Sequence, residues 1–210
     1  MNMKENRMVQ NRAFEEMRKS ALERLEERDI LEIARNTDME YDREKNLFYL
    51  SSLGREVRIF CPGYEIEPEL DEWHQLLIYH YMDLADGTEL TGELMAFGDL
   101  PGGMVRGGGF DRQSEQTLSL RFGHCTMEQM IRACKKLGGT LIPSNADICA
   151  VFSVLPLYPV TFKLWFSDDE IQGSGRLFLD KSAAHFLTVE DAVTAGTLLL
   201  EALLRETTFA

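Results

Sequence analysis

Basic charge is scarce in this chain. Its 210 residues carry 22 Lys and Arg against 35 Asp and Glu, a formal charge of −13. An acidic surface of that size repels nucleic-acid phosphate and anionic membrane. No Lys/Arg run, and no basic patch interleaved with aromatics, offsets it. Neither nucleic acid nor membrane is therefore expected as a partner. Long apolar runs are also missing: none reaches the roughly 18 residues that span a bilayer. The first residues, Met1-Asn2-Met3-Lys4-Glu5-Asn6-Arg7, are polar and do not read as a signal peptide. The expected compartment is the cytoplasm. Cysteine is sparse as well. Cys61, Cys125, Cys134 and Cys149 form no CxxC pair, which predicts reduced thiols rather than a disulfide framework or a zinc ribbon. There is no internal repeat, no nucleophile elbow and no kinase set. His74 and His80 do not have the four-residue spacing of a helical metal pair. No motif names a metal or a cofactor.

What is present is enough apolar residue, 44%, for a true core. The clearest pattern lies in residues 147–204. Val160, Phe162, Leu164 and Phe166 alternate with Thr161, Lys163 and Trp165, the period of a half-buried strand. An apolar run over 148–155 precedes it and a short strand over 176–179 follows. The chain then turns helical at Thr188, where Val189, Val193, Gly196, Leu200, Leu203 and Leu204 share a face.

Earlier segments alternate in the same way. A helix over 9–27 carries the stripe Phe14, Met17, Ala21, Leu22, Leu25, and Asp29 caps a short second helix. Residues 37–62 read as a three-stranded meander ending at Pro62-Gly63. A helix over 71–84 has the stripe Trp73, Leu76, Leu77, His80, Tyr81, Leu84. A strand is expected within 93–97, then a glycine-rich loop over 100–110. The capping box Thr126-Met127-Glu128-Gln129 opens a further helix, closed by Gly138-Gly139. Mixed strands and helices with hairpin-length turns predict an α+β fold with a mainly antiparallel sheet. The expected organisation is a helical arm over 1–36 and one α+β domain over 37–210. The arm's stripe is expected to pack at the periphery or on a second copy of the chain, making a homo-oligomer.

Candidate chemistry sits on a few side chains. Asp147, Asp168, Asp169, Glu170, Asp180, Glu190 and Asp191 stand at strand ends, a turn and a helix start. Strict hairpin geometry brings Asp147 to the same sheet edge as Asp169 or Glu170, and sends Asp180 toward the Leu155-Pro156 corner. Such a carboxylate pair would raise one pKa or hold a cation. The alternative is that each serves as a turn or cap residue. His124-Cys125 precedes a helix N-terminus, whose dipole favours a thiolate, so Cys125 is the candidate reactive thiol; otherwise it is a small half-buried residue. His80 is a base, a ligand, or a core histidine with one hydrogen bond. Residues 102–109 lack the P-loop ending and the GxGxxG spacing. They read as an anion nest with Arg106 as partner, as a lid, or as a wide turn.

Several segments resemble the bacterial and archaeal domain-of-unknown-function family 3786. They are Gly92-Glu93-Leu94-Met95-Ala96-Phe97-Gly98-Asp99-Leu100-Pro101-Gly102-Gly103, Leu137-Gly138-Gly139, Asp147-Ile148-Cys149, Leu155-Pro156-Leu157-Tyr158-Pro159, Asp168-Asp169-Glu170, Leu177-Phe178-Leu179-Asp180 and Glu190-Asp191. The resemblance covers most of the chain after residue 40. Some relatives carry an N-terminal cysteine-rich segment of iron–sulfur type, which implies a setting in anaerobic one-carbon or corrinoid metabolism. This sequence has no such segment, so no cluster of its own is expected. Two classes of function follow. One is a module that binds a small molecule or a protein; the other is an acid–base or metal-assisted enzyme using the C-terminal carboxylates.

Overall fold

The β2–β3 turn is the joint of the molecule. β2 (Leu47–Ser52) and β3 (Arg55–Phe60) are joined by Leu53 and Gly54 alone. Their φ angles of 48° and 74° are both positive, as a two-residue hairpin of the mirror-image type requires. A leucine is uncommon there. It is held because its N–H donates to Ser153 O at 3.1 Å and its side chain is buried. At Gly54 a Cβ would stand 2.8 Å from Gly138 N and Leu137 C, so only glycine lets the turn wedge against the chain that follows α5 (Met127–Lys136).

A computed structural model describes residues 3–208, with side chains at 12 and from 14 onward. Two antiparallel sheets and six α-helices, among the described residues, make the expected α+β fold. The first sheet adds β1 (Glu40–Asp42) and β4 (Glu65–Glu67) in the order β1-β2-β3-β4. It therefore has four strands, not the expected three. The chain passes Pro62-Gly63 and returns to pair Ile66 with Ile59. A three-residue edge strand with charge at both ends offers no alternation to read.

α1 (Met3–Glu26) leads into α2 (Ile30–Thr37), whose cap Asp29 accepts from Glu32 N at 2.8 Å. Of the α1 stripe, Phe14, Ala21 and Leu25 are buried against α3 (Glu72–Leu84), and Met17 is exposed. The Phe14 ring meets Trp73 edge-on at 5.4 Å, and Arg24 Nε pairs with Asp83 at 2.5 Å. The start of the expected helix, residues 9–11, lies outside the described side chains, as do the other residues of the expected arm before it. α3 also differs from expectation. Trp73 and Leu84 are exposed, while His74, Ile78, Tyr79 and Met82 are buried. With α1, α2 and α6 (Val189–Thr208) all packed against it, this helix buries more than one face.

The second sheet runs β5-β9-β8-β7-β6, antiparallel throughout. Its strands are β5 (Leu94–Met95), β6 (Thr140–Leu141), β7 (Ile148–Leu155), β8 (Tyr158–Trp165) and β9 (Ser174–Asp180). Val160, Phe162, Leu164, Leu177 and Leu179 are fully buried. α6 lies among α3, α5 and α4 (Arg106–Phe122) with Leu199 and Leu203 fully buried, and Leu200 nearly so. The expected strand over 93–97 shrinks to β5, followed by a 3-10 turn, Phe97–Asp99.

The glycine loop is also corrected: Gly107, Gly108 and Gly109 lie inside α4. Glycine is poor in helices, so propensity misleads here. A Cβ on Gly107 would lie 2.1 Å from Phe97 O. The glycines let α4 close on the 3-10 turn, where Asp111 accepts from Phe97 N at 3.2 Å and Gly98 N at 2.8 Å.

Candidate functional site

The wedge at Leu53-Gly54 leaves a cavity of about 240 Å³ beside it. The walls come from β2–β3, the start of α3, the end of α5 and the C-terminal half of α6. Leu53, Leu70, Leu137, Leu198 and Ala202 supply its apolar lining. The polar lining is His74, Arg55, Arg205, Asp71, Glu201 and Glu206. Leu198, Glu201, Ala202 and Arg205 recur at helical spacing and so share one face of α6. Asp71 caps α3, accepting from Trp73 N at 3.0 Å, and this sets His74 in the first helical turn. Lys136 Nζ holds Glu206 at 2.6 Å and ties α5 to α6.

The hydrogen bonds of His74 fix its tautomer. Ser52 Oγ donates to Val154 O, a carbonyl that can only accept. The one hydroxyl proton is engaged there. Ser52 Oγ must then accept from His74 Nε2–H, 2.7 Å away. Nδ1 is left as an unprotonated acceptor. It has no hydrogen-bond partner among the described residues, and His74 is one of the residues that line the cavity. Burial, then the nearby Arg55 cation, push the imidazole down to about 4, against a smaller opposite effect of Asp71. At neutral pH the ring is uncharged. Arg55, Arg205 and Glu201 are exposed at the rim and form no ion pair among the described residues.

A second histidine on α3 is arranged differently. His80 Nδ1 donates to Asp191 Oδ1 at 2.6 Å. Asp191 Oδ2 also accepts from Thr188 Oγ1 at 2.6 Å and Thr188 N at 3.2 Å, opening α6. Burial raises the Asp191 carboxyl, but these hydrogen bonds and the His80 charge outweigh it and hold it below the usual range. The Tyr158 hydroxyl, buried nearby, has no hydrogen-bond partner among the described residues. His80 is half-buried, and the bond to Asp191 is its one hydrogen bond among the described residues.

The residues singled out from sequence fall at two other places. Asp147 Oδ2 accepts from Phe166 N at 2.8 Å, which puts it at the sheet end where Asp168, Asp169 and Glu170 follow β8. Asp168 Oδ1 accepts from Glu170 N and Ile171 N, an ordinary Asx turn that lowers its pKa. Asp169 and Glu170 are exposed. His124 Nδ1 contacts Ser167 Oγ at 2.8 Å at this same end. Cys125 lies beside it, and burial pushes its thiol up, opposite to the direction an activated thiol needs. No group of three His, Cys, Asp or Glu residues converges to hold a metal ion, among the described residues.

Asp180 lies at the far end of β9, one residue past the Val160–Leu179 pair and so toward the Leu155-Pro156 corner. Burial raises its pKa, but donors from Ser182 and Thr91 bring it down to about 2, and Gly92 N donates to its other oxygen at 2.7 Å. It stitches two loops together. Arg106 heads α4 and pairs with Glu190 at 2.8 Å, at the opposite end of that helix from His124.

Residues 29–202 match the family described as Domain of unknown function (DUF3786). The chain belongs to this family. No curated protein and no solved structure matches it. The DUF3786 match takes in both histidine sites and every cavity residue except Arg205 and Glu206, which fall just past its end. No helix of the described residues is long and apolar enough to cross a membrane. The sequence does not single out Ser52, Arg55 or Arg205, and it raises His74 only as half of a metal pair that its spacing to His80 rules out.

Proposed function

We propose that this DUF3786 chain is a binding module for a small organic acid, held in the His74 cavity with its carboxylate on Arg55 and Arg205. One observation carries the reading. In a protein of charge −13, two arginines without ion-pair partners, among the described residues, flank a cavity whose lining mixes leucines with polar side chains. Guanidinium groups match carboxylates bidentately and are suited to this task. At about 240 Å³ the cavity suits a small metabolite and leaves no room to enclose a corrin macrocycle. A setting in anaerobic one-carbon or corrinoid metabolism, which the family resemblance implies, would therefore enter through a small acid.

A thermal-shift series with three- to six-carbon carboxylic acids, against chloride at equal ionic strength, tests the reading. The native chain should rise in Tm with some of these acids. The R55A/R205A double variant should keep its own Tm within about 2 °C, since both side chains are exposed, and lose the response. An equal rise in the double variant would place binding elsewhere. Stabilisation by Mg²⁺ or Mn²⁺ alone would favour the carboxylate-based enzyme instead.

A further inference from the structure

We infer that the ligand of this cavity is an apolar α-amino acid, bound as a zwitterion; this rests on the acid-binding reading above and names its chemical class. The arginines are two of the six polar residues in the lining. Glu201 stands in the same wall without an ion-pair partner among the described residues, and Asp71 contributes a second carboxylate. A simple acid would meet these carboxylates as like charges. A molecule that carries an ammonium group next to its carboxylate turns that repulsion into a second contact.

His74 adds the directional element. Because Ser52 fixes the Nε2–H tautomer, Nδ1 can accept a hydrogen bond and cannot donate one. An ammonium N–H satisfies it; a carboxylate oxygen at the same place would set lone pair against lone pair. The leucine-rich lining then takes an aliphatic side chain, and the small volume excludes a peptide of any length. Anion at one rim, ammonium at His74 and Glu201, and alkyl group on the leucines describe a free amino acid of the leucine type.

The test uses the full chain and three probes in calorimetry: leucine, 4-methylpentanoate, which lacks the amine, and 3-methylbutylamine, which lacks the carboxylate. Leucine should bind at least tenfold more tightly than either. H74Q keeps a donor for Ser52 Oγ and removes the Nδ1 acceptor; it should lower the leucine-to-4-methylpentanoate affinity ratio about tenfold. E201Q, on the exposed rim where folding is not at stake, should lower that ratio by about threefold. If 4-methylpentanoate binds as tightly as leucine, the zwitterion inference falls and the acid-binding reading stands. Binding of 3-methylbutylamine alone, or of no probe and no other acid, overturns both.

Discussion

Two histidines six residues apart on α3 solve the problem of a buried imidazole in opposite ways. Six helical residues separate His74 and His80 by about 9 Å along the axis and turn them about 240° around it. They therefore face different neighbours. His74 meets a hydroxyl and, through it, a backbone carbonyl of the second sheet. His80 meets a carboxylate at the start of α6. The first arrangement stabilises a neutral ring and leaves a free acceptor on a residue that lines a cavity. The second completes a helix cap. The lesson is that a helical histidine is read by what stands across from it. The ring whose partners are neutral is the one free to bind a ligand.

The largest expected effect falls on the His80 side. D191A removes the partner of His80 and the reciprocal cap with Thr188 together. Breaking a mostly buried pair and a cap should cost about 4 kcal/mol. Urea unfolding measures it; a loss under about 1 kcal/mol would mean that His80 and Asp191 are separated in solution.

The His74 side should appear in the pH dependence. Unfolded, this histidine titrates near 6.5; folded, at about 4. As pH falls, the unfolded chain takes the proton first, so stability is lost from about pH 6.5 down through pH 4. The full loss is roughly 3 kcal/mol. Asp191 and Asp180 have depressed folded values, so their contributions are present above the carboxylate range and disappear only as pH falls below about 4. The two windows barely overlap. Urea midpoints at pH 7, 5.5 and 4.5 should decline in the native chain and stay nearly level in H74Q. A native midpoint that is flat over this range would show that His74 is not held neutral.

Local signals explain what the sequence made legible. Alternation announced β8, an apolar run announced β7, the box Thr126–Gln129 announced α5, and Asp29 announced the cap of α2. Each lies within a few residues of what it governs. Where a distant atom decides the outcome, the local signal points the wrong way. Gly107 reads as loop because nothing nearby reveals the Phe97 carbonyl against which α4 must close. The candidate site is illegible for the same reason. Ser52 and His74 are 22 residues apart, and Ser52 and Val154 are 102 apart. His80 and Asp191 could each be assigned a job from sequence, as core histidine and capping residue. Only the fold shows that the two jobs are one hydrogen bond across 111 residues.

The smallest expected effect separates the two histidines most directly. S52A removes one hydroxyl from the His74 chain and touches nothing at His80. Val154 O loses a donor and His74 Nε2–H loses its acceptor, both in a buried place. Two unsatisfied groups created by deleting one oxygen should cost about 2 kcal/mol. The more telling change is in the proton itself. In the native chain the ring is expected as a single Nε2–H tautomer, because the serine proton is engaged by a carbonyl. Without Ser52 nothing prefers that tautomer, and the Nδ1–H form should become populated. Two-dimensional nitrogen-15 spectra of the histidine rings distinguish the forms by their ring-nitrogen shifts. A native His74 found as the Nδ1–H tautomer would invert the chain of donors, remove the free acceptor at Nδ1, and remove the feature that sets this histidine apart from His80.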